Sequence, residues 1–156
     1  METMETIILK NLIQNEDYTR RVVPFLDEEY FKDRNERIVY TIIRDHIHKY
    51  NRSPNRDALI IALDDRGGMT EQSYKDTSII IKSITDTIDP VDNEWLMDQT
   101  EKFCKDKAVY NAILRSIEII DGKSKNETKN AIPNILSDAL SVSFDEQIGH
   151  DYISDA

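Results

Sequence analysis

The sequence holds a single cysteine, Cys104, in 156 residues. One thiol excludes an intramolecular disulfide and cannot by itself hold zinc, so the chain suits a reducing compartment. Glycine and proline are also sparse, four of each, together about 5% where average usage is nearer 12%. Turn-rich sandwiches and barrels are therefore disfavoured. The longest apolar runs are a few residues, Ile79-Ile80-Ile81 or the six of Ala58–Leu63, far short of the roughly 18 residues of a membrane span. Ile7-Ile8-Leu9 follows Glu2 and Glu5 with no small-residue cleavage site behind it, so it does not read as a signal peptide. There is no basic excess either. Lys and Arg number 20 against 30 Asp and Glu, a net charge of −10, spread along the chain rather than held in a tail. No stretch carries the basic footprint of a DNA-gripping surface.

What is present is enough for one real core. Apolar residues make up 39% of the chain, and at this length about 70% of the unfolded surface can be buried. Periodicity reads helical almost throughout, and the expected fold class is all-α. The opening Met1-Glu2-Thr3-Met4-Glu5-Thr6 repeats a tripeptide, which makes Met4 the expected native start and leaves the first three residues outside the fold reading. Ile8, Leu12 and Ile13 form a short apolar face ending near Asn15, and Asp17 is the expected cap of a second short helix toward Pro24. Val39, Ile43, Ile47 and Tyr50, widened by Ile38 and Ile42, predict a helix over 34–50. Asn55 caps a further short helix carrying Leu59, Ile60 and Leu63, ended by Arg66-Gly67-Gly68. Thr70 opens the next, running to about Ile88 with Ile80, Ile81, Ile84 and Ile88 inward; its β-branched content leaves a strand as the alternative.

Asp89-Pro90 closes this block, residues 4–90, and a different pattern follows. Leu96, Gln99, Phe103, Asp106, Tyr110, Ile113, Ile117 and Ile120 step by three and four, a heptad-like stripe broken near its base by Gln99 and Asp106. A helix over about 92–121 would be roughly 45 Å long. After the polar turn Asp121–Asn126, Ile132, Ile135, Leu136, Ala139 and Leu140 make another apolar face, with Pro133 tolerated only near the helix start. Residues 91–144 thus read as an antiparallel helical hairpin. A thin arm cannot bury wide apolar faces by itself. Phe103, Tyr110, Ile113, Ile117, Ile120, Ile132, Ile135, Leu136 and Leu140 are the candidate self-association surface, packing within the chain being the alternative. Residues 145–156 lose periodicity and read as a linker or cut end.

Motifs for chemistry are weak. Gly122-Lys123-Ser124 resembles the end of a P-loop, but the glycine required five residues earlier is Ile117, and a helix rather than a strand precedes it; the spacing reads as a helix C-cap. His46 and His48 lie about 200° apart around a helix and cannot grip one metal together. His150-Asp151 matches a metal-binding dipeptide without a helical scaffold to fix it. Glu28-Glu29 sits on a turn with no apolar pocket to separate two acidities. Cys104 has Lys102, Lys105 and Lys107 nearby but no base partner, which reads as a structural thiol. No catalytic, metal-binding or cofactor-binding residues are assigned.

Glu29-Tyr30-Phe31-Lys32-Asp33, Arg37–Ile43, Ser53-Pro54 and Ala58-Leu59, with Ala131–Leu136 and Leu140–Asp145 through Gly149–Tyr152 at the far end, resemble the N-terminal domain of DnaB-type replicative helicases, the T-even phage branch above all. The resemblance spans nearly the whole chain in the order and length of its elements. Asn35 and Glu36 stand where cellular members commonly carry a histidine, and the aliphatic positions run one residue later, which favours the phage branch.

The resemblance implies a globular helical block followed by a hairpin, with 145–156 leading toward a motor domain outside these residues. That motor would carry ATP, Mg and the 5′–3′ helicase activity, so this chain alone is not expected to be an enzyme. The implied role is a collar: subunits pair through hairpins as a dimer or hexameric ring, and primase and helicase loader dock on it. DNA threads the full ring without being gripped here, no membrane is involved, and the setting is the cytoplasm of an infected bacterium. Ring closure would concentrate the motors on one strand. Two other readings stand beside it: a free-standing phage adaptor that loads or blocks a host helicase, and a small metal-dependent hydrolase using His46, His48 and His150.

Overall fold

The computed structural model describes residues 2–86, 90–124 and 127–144. Seven α-helices are described: α1 Met4–Gln14, α2 Glu16–Val22, α3 Arg34–Tyr50, α4 Arg56–Arg66, α5 Glu71–Asp86, α6 Asn93–Ile120 and α7 Ile132–Leu140. Three 3-10 turns, at Val23–Phe25, Glu28–Tyr30 and Lys129–Ala131, complete the order, and the described residues contain no strand. The all-α class holds. Ile88 and Asp89, the turn residues Lys125 and Asn126, and the whole of 145–156 with His150 lie outside the described residues.

Most helices start where a short polar side chain satisfies a free N-terminal amide. Asp33 accepts from Glu36 N at 2.9 Å, Asn55 from Ala58 N at 2.9 Å and Thr70 from Ser73 N at 3.0 Å. The cap of α2 is Asn15, which accepts from Tyr18 N at 3.2 Å, and not Asp17, which falls in the first helical turn. Asn15 has the extended backbone that a cap needs, and Asp17 there still favours the positive end of the helix dipole. Thr3, which the repeat places outside the fold, caps α1 by accepting from Thr6 N at 3.2 Å. The β-branched run in α5 is helical. Thr77 and Thr85 return their hydroxyls to the Ser73 and Ile81 carbonyls, each at 2.7 Å, as helical Thr does.

The described chain forms two compact units divided at Thr100/Glu101, inside α6. In the first, α3 packs on α5, α1 lies against α2, α3 and α5, and α4 against α3 and α5. Ile8, Leu12, Ile43, Leu59, Ile81 and Ile84 are fully buried at their centre. Phe31 stacks on Tyr40 at 4.8 Å between ring centres, which fastens the loop before α3 to that helix. Polar cross-links tie the helices at fixed register: Ser53 Oγ donates to Leu12 O at 2.7 Å, and Gln14 Nε2 to Ile84 O at 2.8 Å. The first two turns of α6 belong to this unit. Leu96 and Thr100 are fully buried, and the Thr100 hydroxyl shares a hydrogen bond with Tyr18 Oη at 2.8 Å.

Candidate interaction surface

In the second unit, α6 continues from Glu101 and the chain returns along it. Arg115 forms an ion pair with Glu127, and Glu101 accepts from Phe144 N at 2.7 Å. Later residues therefore meet earlier positions of α6. The turn that permits it is built on Gly122 at φ +76°, with Gly122 N donating to Ile119 O at 3.1 Å and Lys123 N to Glu118 O at 2.9 Å. That pair of bonds is a Schellman motif. Gly122-Lys123-Ser124 thus closes a helix and does not open a phosphate loop. Pro133 stands at the N-terminus of α7, where its missing N–H costs nothing.

Two faces of α6 separate by side-chain size. Cys104, Ala112, Ser116 and Ile119 are buried; at about 100° per residue they share an arc of about 120°. Tyr110, Ile113, Leu114, Ile117 and Ile120 occupy an arc of similar width on the opposite side. These five are between 43% and 57% exposed. Three of the four buried side chains are small and allow close approach, while the other face is left with a row of large apolar groups about half exposed.

Of the residues picked from the sequence, Tyr110, Ile113, Ile117 and Ile120 come together on the exposed face. Leu114 joins them. It stands four residues after Tyr110 and three before Ile117, the same spacing, so its place was available to the pattern that selected the others. Phe103 is buried, with the Lys107 ammonium 5.7 Å from its ring centre, and is not part of the open row. On α7, Ile132, Ile135 and Leu136 are half-buried around buried Ala139, and Leu140 is 70% exposed. Cys104 sits within the buried face, and burial, with the Glu101 carboxylate adding to it, pushes its thiol pKa up to about 12. A thiol that burial keeps protonated is a poor nucleophile at neutral pH.

Elsewhere the chemistry is equally quiet. His46 packs against Tyr50 at 4.7 Å between ring centres, and burial lowers its pKa. Glu28 accepts from Thr41 Oγ1 at 3.3 Å. Among the described residues, no group of three His, Cys, Asp or Glu side chains could hold a metal ion, and no helix is long and apolar enough to cross a membrane.

No family profile matches the chain. A curated relative does: a DnaB-like replicative helicase of Enterobacteria phage T4 is 34% identical over 160 aligned positions, covering 97% of this chain and 33% of the helicase. The chain spans about a third of the length of that relative. The resemblance to a DnaB-type helicase read from the residues is borne out along nearly its whole length.

Proposed function

We propose that this chain is the N-terminal collar of a phage replicative DNA helicase. The observation that carries this reading is the match of 97% of the chain to one third of a DnaB-like replicative helicase. A third of a helicase that contributes no P-loop serves assembly rather than hydrolysis. Copies associate through the apolar row of α6, Tyr110, Ile113, Leu114, Ile117 and Ile120, and exposed Leu140 of α7 offers a further apolar group. Each such side chain gains on the order of 1 kcal/mol when the exposed half of its surface leaves water, so a row of five on each copy is needed to offset the entropy of association.

In this reading the collar sets subunits in a dimer or a hexameric ring and offers its outer surface to primase and to a helicase loader. ATP and Mg bind the motor that follows, DNA threads the ring, and the work takes place in the cytoplasm of the infected host. An acidic surface suits a domain that meets proteins and lets DNA pass. The test is the source gene read beyond the codon for Ala156. A frame continuing into a strand and a glycine-rich loop ending in Gly-Lys-Ser or Gly-Lys-Thr supports the collar. A stop codon there contradicts it and makes the chain a free-standing adaptor.

A further inference from the structure

Arg34, Arg37 and Arg66 line one cleft of about 520 Å³ in the first unit, with Glu28, Thr41 and the Gly67-Gly68 turn. They arrive from separate segments, Arg34 and Arg37 from the first turn of α3 and Arg66 from the last residue of α4. Arg37 is oriented by backbone: its Nε donates to Phe31 O at 3.1 Å. Among the described residues neither Arg34 nor Arg66 has a hydrogen-bond or ion-pair partner. The one carboxylate lining the cleft, Glu28, already accepts the Thr41 hydroxyl. In a chain of net charge −10, three guanidinium groups facing one carboxylate are a local reversal of sign.

The Gly67-Gly68 turn adds bare backbone to the lining. Gly67 and Gly68 have φ of +65° and +71°, and nothing stands within 4 Å of where a Cβ would be. Their bare backbone lets an anion approach closely. We propose that this cleft binds a phosphoryl group, carried by a nucleotide or an oligophosphate, with Arg34 and Arg66 on its oxygens and Arg37 held in place behind them. Guanidinium forks match phosphoryl oxygens two at a time, better than any other side chain. The volume falls within the range of about 300–1,000 Å³ typical of small-molecule sites. A small ligand is favoured over a long strand because a chain of net charge −10 repels every further phosphate. This site is independent of the collar reading.

Isothermal titration of the whole 156-residue chain, in about 50 mM salt so that screening stays modest, tests it with tripolyphosphate, ADP and an unphosphorylated oligothymidylate. Tripolyphosphate or ADP binds the parent, and the Arg34→Ala, Arg66→Ala double variant weakens that binding by roughly tenfold or more with its circular dichroism unchanged. Both side chains are exposed, so the fold survives their removal. ADP binding more tightly than tripolyphosphate assigns the site to nucleotides; equal binding assigns it to the phosphates alone. No heat with either ligand, undiminished affinity in the double variant, or tightest binding by the oligothymidylate overturns the proposal.

Discussion

The carboxylate of Glu101 accepts the backbone N–H of Phe144 at 2.7 Å and the Ser143 hydroxyl at 3.4 Å, across more than 40 positions of chain. Phe144 is buried, so this one side chain anchors the end of the return to the helix from which it left. A hydrogen bond to an ionised acceptor contributes about 1.5–3 kcal/mol.

Glu101→Ala is therefore expected to lower stability by about 1–2 kcal/mol in urea unfolding. Glu101→Gln, which keeps an acceptor of the same length, loses less. Equal midpoints for Glu101→Ala and the parent would show that the return is held by other contacts.

Cys104 supplies a prediction in pH. Its folded pKa is raised to about 12 against an ordinary 9.0, so the folded state favours the protonated thiol. The stability this protonation gives is complete below about pH 9 and is lost as pH rises toward the folded value. Between pH 9 and 11, Cys104→Ala should lose stability less steeply than the parent, and the native thiol should resist a disulfide reagent at pH 8 until urea exposes it. Fast labelling of the native protein would contradict the burial.

Glu36 lies in the first turn of α3, and burial raises its pKa, with Glu5 and Asp33 adding to the effect. A carboxylate raised in this way favours folding while protonated and opposes it once pH has passed through the folded pKa. Glu36→Gln should raise the thermal midpoint at pH 7, and the gain should shrink toward zero at pH 4. The same gain at both pH values would place its origin elsewhere.

Much of this fold is legible in the residues. The 3.6-residue recurrence of Val39, Ile43 and Ile47 predicts 34–50, and α3 runs from Arg34 to Tyr50. Gly67 and Gly122 end their helices at positive φ as their chemistry requires. Asn15 and Asp17 are equally able caps two residues apart, and periodicity does not resolve that difference. The face of α6 that turns inward was hidden for a different reason. Cys104, Ala112 and Ser116 are small, so the large side chains opposite them dominate the pattern, although close packing selects the small ones. The arginine cleft was hidden by order along the chain, since Arg34 and Arg66 stand on different helices within an acidic sequence and only folding brings them to one cavity.

Self-association through the exposed face of α6 is tested by sedimentation equilibrium of the parent beside a Tyr110→Asp, Ile113→Asp variant. Both side chains are about half exposed, so the variant should keep its helicity by circular dichroism. Placing two unpaired charges in an apolar interface costs several kcal/mol, about a hundredfold or more in affinity. The parent should sediment as a concentration-dependent oligomer and the variant as a monomer of 18.2 kDa. A parent that stays monomeric, or a variant that keeps the parent's oligomeric mass, would contradict self-association through this face.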